Sequence, residues 1–244
     1  MSHNFDSSSS ELSRLLSEAQ GVSSFVERIK YFSSQLLNKT YKSNSLIGSA
    51  HIAEDLVINP NELDCVTYVE MVLALANATQ LNEFLTHIKN IRYSESQVDW
   101  YQRNHYMTNW IRNNAAKQYL DLIEPTAATA MPVKKLLNCV PDLPACPISE
   151  VMHICKTEQL DNLLHIYQDG DLIFFGSSKV DLDIFHMGFL FNTLTLSPTL
   201  RHASRSTGFV VDEALVDFLI RAGGCSGVWI ARPKKKLLLS EQSL

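Results

Sequence analysis

Apolar positions along the chain follow a helical period in the first half and a strand-like period in the second. A serine-rich segment at residues 1–23 reads as a mobile or helical lead-in, with helical spacing from Glu11 to Gln20. Between Ser24 and Asn38, Phe25, Ile29, Phe32 and Leu36 form one apolar stripe. The segment DCVTYVEMVLALANAT gives the clearest helical signal, with Val66, Val69, Leu73 and Ala76 on one face and Asp64 placed to cap its start. Further helices are predicted over Leu81–Ile91 and Tyr106–Tyr119.

Five prolines between Glu124 and Pro147 predict an irregular excursion at residues 124–147. Short apolar runs then follow at Asp171–Phe175 and Ile184–Phe191, a helix at Val210–Ala222 with Gly223 and Gly224 as its stop, and a last strand at Gly227–Ala231. Helices first and strands later predict an α+β fold, an antiparallel sheet packed against an N-terminal helical part. One domain is expected over residues 24–233, with a polar tail at 234–244 that contains three consecutive lysines.

Composition narrows the function classes. The chain has 244 residues, 45% of them apolar and 19% charged, a globular balance unlike that of disordered chains. A net charge of -5 argues against a general nucleic-acid binder. No apolar run reaches the roughly 18–20 residues that span a bilayer. The amino terminus lacks the basic and apolar regions of a secretory signal, which is expected of a cytoplasmic chain, or of a periplasmic or cell-envelope chain whose signal has been trimmed. Five cysteines are too few for a disulfide scaffold, and the odd number leaves a thiol unpaired; Cys139 and Cys146 either bridge or stay free.

Three residues carry the candidate chemistry. Cys65 directly follows the expected cap, where free backbone N–H groups and the helix dipole favour a thiolate and can stabilise an oxyanion. The bland alternative is a packed cysteine in a first turn. In IFHMGFLF, alternation puts His186, Gly188 and Leu190 on one face and Phe185, Met187, Phe189 and Phe191 on the other, so the small Gly188 leaves space beside the imidazole. His186 there is a candidate general base for Cys65. His202, 16 residues later, suits an adjacent antiparallel strand where it would orient His186.

In the order LDCVTYVE, FHMGFLF and LRHAS, these motifs resemble the papain-like, NlpC-type cell-wall hydrolases. DCVTYVEMVLAL with RNHYMTNWI and the closing GVWIARP is more narrowly similar to a bacterial branch of N-acetylmuramoyl-L-alanine amidase-like proteins. The resemblance runs from Ile47 to Pro233. It implies a papain-like fold with Cys65 as nucleophile, His186 as base and His202 as orienting residue. Many relatives carry a tyrosine upstream of the cysteine at the oxyanion site, and the comparable GSAHIAE stretch offers His51. Arg103, His105 and Tyr106, with Trp110, form a polar and aromatic cluster suited to a muropeptide or, equally, to a helix start entering the core. Asp64 is a further candidate beside the nucleophile, although capping accounts for it too, and Glu70 reads as an exposed helix charge.

The function implied is a cysteine amidase acting on peptidoglycan fragments, at the bond between N-acetylmuramic acid and L-alanine, with no metal or organic cofactor and an oligomeric state left open. A peptidase cutting L-alanine from γ-D-glutamate is close behind. The same scaffold also suits an acyltransferase or a muropeptide-binding module. Zinc held by Cys65, His186 and His202 is a chemically adequate alternative that lacks the usual ligand spacing.

Overall fold

The computed structural model describes residues 3–126, 130–153, 167–192, 198–222 and 225–238. The first half supplies helices α1 (His3–Glu18), α2 (Phe25–Gln35), α3 (Cys65–Asn77), α4 (Leu81–Arg92) and α5 (Met107–Ala116), with two-residue strands β1 (Thr40–Tyr41) and β2 (Glu62–Leu63) between α2 and α3. The second half supplies β3 (Leu120–Ile123), β4 (Ala130–Leu137), β5 (Cys146–His153), β6 (Leu172–Ser177), β7 (Ile184–Phe191), β8 (Thr199–Ser204), β9 (Phe209–Ala214) and β10 (Cys225–Pro233). Helix α6 (Leu215–Ala222) lies between β9 and β10. The strands form one sheet in the order β2-β1-β9-β8-β7-β6-β10-β5-β4, with β3 also pairing β10. Every pair is antiparallel except β1 with β2.

Helix α3 is the centre of the helical layer. From Thr67 to Asn77 every residue is buried, as expected for a helix apolar on nearly all sides. It packs between α2 and α4 and against β7 and β8. Its C-terminal carbonyls find an unusual partner: the Arg28 guanidinium of α2 donates to the carbonyls of Ala76 (2.8 Å), Leu75 (3.2 Å) and Ala78. A cation at this end satisfies orphan acceptors and complements the dipole. Glu70, read from sequence as an exposed charge, is instead buried. Arg92 Nε donates to its Oε2 at 2.7 Å and Trp110 Nε1 to its Oε1 at 3.1 Å. Leu12, Leu15 and Leu16 of α1 join the same core, so the lead-in packs as part of it.

Two stretches differ from the sequence reading. The proline-rich excursion contains a regular hairpin, β4 with β5, paired from Ala130↔His153 to Leu137↔Cys146. Pro132 is compatible with β4 because that strand is the sheet edge, where one side needs no donor. Val210–Ala222 divides into β9 and then α6; the β-branched Val210 and Val211 pair with Ala203 and His202 of β8. Gly223 and Gly224 lie outside the described residues. Cys65, Cys139, Cys146 and Cys225 are free thiols, and Cys155 lies outside the described residues. Among the described residues no helix is long and apolar enough to cross a membrane.

Candidate active site

Asp64 launches α3 and thereby positions Cys65. Its Oδ1 accepts the N–H groups of Val66 (3.0 Å) and Thr67 (2.8 Å), while Thr67 Oγ1 accepts the Asp64 N–H at 2.9 Å. This reciprocal capping box fixes the turn from extended chain into helix. Asp64 therefore serves the helix, and it does not line the pocket described below.

Burial, with the Asp64 charge adding to it, pushes the Cys65 thiol up to about 12. Backbone hydrogen bonds from Met187 of β7 and from the helix start at Cys65 and Val66 work in the opposite direction. Burial outweighs these hydrogen bonds and so works against the thiolate-stabilising effect expected of the helix start. The Met187 contact places the sulfur against β7, one residue beyond His186.

The two histidines meet each other directly. His186 Nε2 lies 2.5 Å from His202 Nδ1, and His202 Nε2 lies 2.6 Å from Glu213 Oε1. A carboxylate can only accept here, so His202 carries its proton on Nε2 and presents Nδ1 as acceptor. His186 must then donate from Nε2, which leaves Nδ1 with the lone pair a general base requires. Burial holds the His186 imidazole well below 6.5, with His202 and Arg221 acting in the same direction. Burial likewise lowers His202, against the pull of Glu213. Burial opposes ionisation of Glu213 as well, yet the Arg221 hydrogen bond (2.7 Å) and the His202 ring keep its carboxyl below the ordinary range.

Strand register explains why these groups converge. Continuing the β7–β8 ladder one residue past Phe189↔Arg201 sets His202 opposite Gly188, with His186 on the diagonal. Gly188 is needed for that approach: a Cβ there would lie 2.9 Å from His202 Cβ and 2.9 Å from Arg201 O. The room it leaves is thus taken by β8. A register shift against β6 between Phe175 and Gly176 also breaks the alternation at the start of β7. Ile184 consequently joins the α3-side core, while Phe185 packs with Phe175 and Phe218 on the α6 side. The His186 ring packs against the Phe175 and Phe218 pair, at centroid distances of 6.1 and 5.1 Å, and those two rings touch each other at 4.4 Å.

Cys65, His186 and His202 line one open pocket of about 620 Å³, together with Tyr41, Arg205 and Phe218. That volume falls in the range of small-ligand sites. Tyr41, upstream of the cysteine, shares this pocket, and burial, with Cys65 acting in the same direction, raises its phenol. It reaches the site because β1 pairs with β9, where Tyr41 N–H donates to Gly208 O at 2.7 Å. Glu213 and Arg221 were also missed, because their segment read as one helix; the adjacent β-branched Val210 and Val211 are the local sign of a strand before Glu213.

The other sequence candidates lie elsewhere. His51 is exposed in a turn near Ser49. Arg103 donates to Glu54 at 3.1 Å, His105 Nε2 meets Trp100 O at 2.8 Å, and Tyr106 is buried in a small cluster with Leu137 and Ile148. None of the four lines the Cys65 pocket. Among the described residues no group of three or more His, Cys, Asp or Glu side chains is arranged to hold a metal. Both ring nitrogens of His202 are engaged in hydrogen bonds, which leaves it no lone pair for zinc.

A family model described as AmiA-like, N-acetylmuramoyl-L-alanine amidase-like, matches residues 31–225. A Legionella pneumophila protein of 20% identity superposes with a TM-score of 0.81, covering 96% of this chain and 97% of that one. An N-acetylmuramoyl-L-alanine amidase from Bacteroides uniformis, 23% identical, gives 0.72 over 86% of this chain and 99% of its own. A Bacteroides fragilis protein whose name gives a provisional xylanase assignment, 25% identical, gives 0.68 over 82% of this chain and 98% of its own. No curated protein matches at a significant level.

Proposed function

Because the chain belongs to the N-acetylmuramoyl-L-alanine amidase-like family, we propose that it is a papain-like, NlpC-type cysteine amidase of bacterial cell-wall muropeptides. The observation that carries this reading is the shared pocket of Cys65 and a neutral His186 whose tautomer is set by His202 and Glu213. The bond assigned is the amide joining the lactyl group of N-acetylmuramic acid to L-alanine.

In this mechanism His186 Nδ1 takes the thiol proton as Cys65 Sγ adds to the carbonyl carbon. The high thiol pKa makes the transfer concerted with attack, in place of a standing ion pair. The oxyanion is received by N–H groups at the α3 start and by the Tyr41 hydroxyl. His186 then returns the proton to the departing amine nitrogen as the carbon–nitrogen bond breaks, leaving a thioester. Water, deprotonated by the same Nδ1, releases the acid and restores the thiol. Through both halves the imidazolium is held by His202, which is itself held by Glu213.

A glycosidase reading, raised by the xylanase name, requires two carboxyl groups flanking the scissile bond. The described lining of the Cys65 pocket contains neither Asp nor Glu, and this favours acyl transfer. Product masses from N-acetylmuramoyl peptides test the assignment. Free glycan acid plus intact peptide supports the amidase, release of N-acetylmuramoyl-L-alanine points to the peptidase, and an unchanged pool contradicts both.

A further inference from the structure

The sign of charge around the pocket says something about the substrate. The chain carries 26 acidic against 21 basic residues, yet the described lining of the Cys65 pocket holds Lys179, Arg205 and Arg221 and no carboxylate. Arg221 is neutralised by Glu213 at 2.7 Å. Lys179, in the β6–β7 loop, and Arg205, in the β8–β9 turn, are exposed at the pocket and have no carboxylate partner among the described residues. Of the nearby acids, Asp64 caps α3 and Asp183 accepts from the Thr108 N–H (2.7 Å) and hydroxyl (2.6 Å), while Asp181 of the Lys179 loop and Asp217 of α6 are not part of the lining. The charged side chains that line the opening are therefore basic on a protein that is negative as a whole.

Arg205 lines the same pocket as Tyr41 and Cys65. Its charge acts on the Tyr41 phenol, which in turn feels the Cys65 sulfur. An exposed guanidinium at the pocket, with no carboxylate partner among the described residues, suits bidentate capture of a carboxylate. Lys179 is held in the same wall because Lys135 of β4 clamps its loop, donating to the carbonyls of Ser177, Lys179 (2.7 Å) and Leu182 (2.7 Å).

Resting on the amidase reading, we infer that the enzyme selects substrates with a free carboxylate in the peptide just beyond the scissile amide, that Arg205 binds this group, and that Lys179 adds to the attraction. No bond is made or broken by either residue.

The test compares N-acetylmuramoyl-L-alanyl-D-glutamate, with both carboxyls free, against the same compound with both carboxyls converted to carboxamides. The wild type is expected to favour the diacid at least tenfold in kcat/KM. Arg205→Gln is expected to shrink that ratio toward one through KM, Arg205→Lys to restore part of it, and rising salt to erode it because exposed charges are screened. Arg14→Gln, which removes an exposed cation far from the pocket in sequence and in contacts, keeps the ratio. Equal wild-type rates on both compounds, or a ratio unchanged in Arg205→Gln, overturn the inference. If neither compound is cleaved the amidase reading fails, and calorimetric binding to Cys65→Ala decides the inference separately. Diacid bound in preference to diamide, with the preference lost on adding Arg205→Gln, supports it; equal binding or none overturns it.

Discussion

At the scale of single residues, the site is a relay of hydrogen bonds whose direction is fixed by its far end. Glu213 can only accept, so the protons of His202 and then His186 fall into place and leave Nδ1 of His186 basic. Removing that end with Glu213→Ala frees His202 to adopt the other tautomer, and kcat is expected to fall about 10- to 100-fold, the usual penalty for a lost orienting partner. KM should move little, and steady-state kinetics on the muropeptide substrate checks the split. The pH profile follows from the same shifts. The base must be neutral, and burial holds His186 well below 6.5, so the acid limb of kcat/KM is expected below that value. The Cys65 thiol, at about 12, brings no second limb in the neutral range. Cys65, His186 and His202 were legible in sequence because each follows from a local rule: a cap before an apolar helix, and alternation along a strand. Tyr41 was not, since its two-residue strand reaches the sulfur through pairing with a strand more than 160 positions later.

At the scale of elements, α3 carries Cys65, the proposed nucleophile, and is anchored at three points. Asp64 caps its start, Arg28 covers its end and the Glu70–Arg92 pair ties its middle to α4. These anchors differ in cost. Asp64→Ala is expected to lose about 0.5–2 kcal/mol of stability, the range for an N-cap. Glu70→Ala leaves the Arg92 charge buried without its partner and is expected to lose about 3–5 kcal/mol. Urea unfolding of both variants ranks them, and equal losses would contradict the account. The strong helical period of α3 made it readable, and so did the isolated apolar run of β7. The β4–β5 hairpin and β9 were not readable, because Pro132 is tolerated only by virtue of an edge position and the β9–α6 boundary is set by pairing with β8.

At the scale of the whole molecule, the fold is mixed α/β: a helical layer and α6 enclose one sheet, and the site opens between them. The α+β order was visible in the shift of period along the chain. The strand order was not, since β10 inserts beside β6 and β1 beside β9 through contacts that no local pattern encodes. Enclosure also has a consequence for acid stability. Burial lowers His87 to about 4, and it lowers His186 and His202 in the same sense. Between 6.5 and about 4 the unfolded chain binds the His87 proton and the folded chain does not. Stability is thus present in full above 6.5 and lost as pH falls through this window. Thermal melts from pH 7 to pH 4.5 should show a falling Tm, less steep in His87→Asn; a flat profile would contradict the burial assigned to these rings.

In the proposed reaction the Cys65 sulfur attacks the substrate amide. Turnover of an N-acetylmuramoyl peptide by Cys65→Ala, with the fold verified by circular dichroism, tests this most directly. Hydrolysis at the uncatalysed background is expected; a variant that retains more than about a tenth of the wild-type rate, against the 10²–10⁴-fold that even a single catalytic group contributes, would contradict a Cys65 nucleophile.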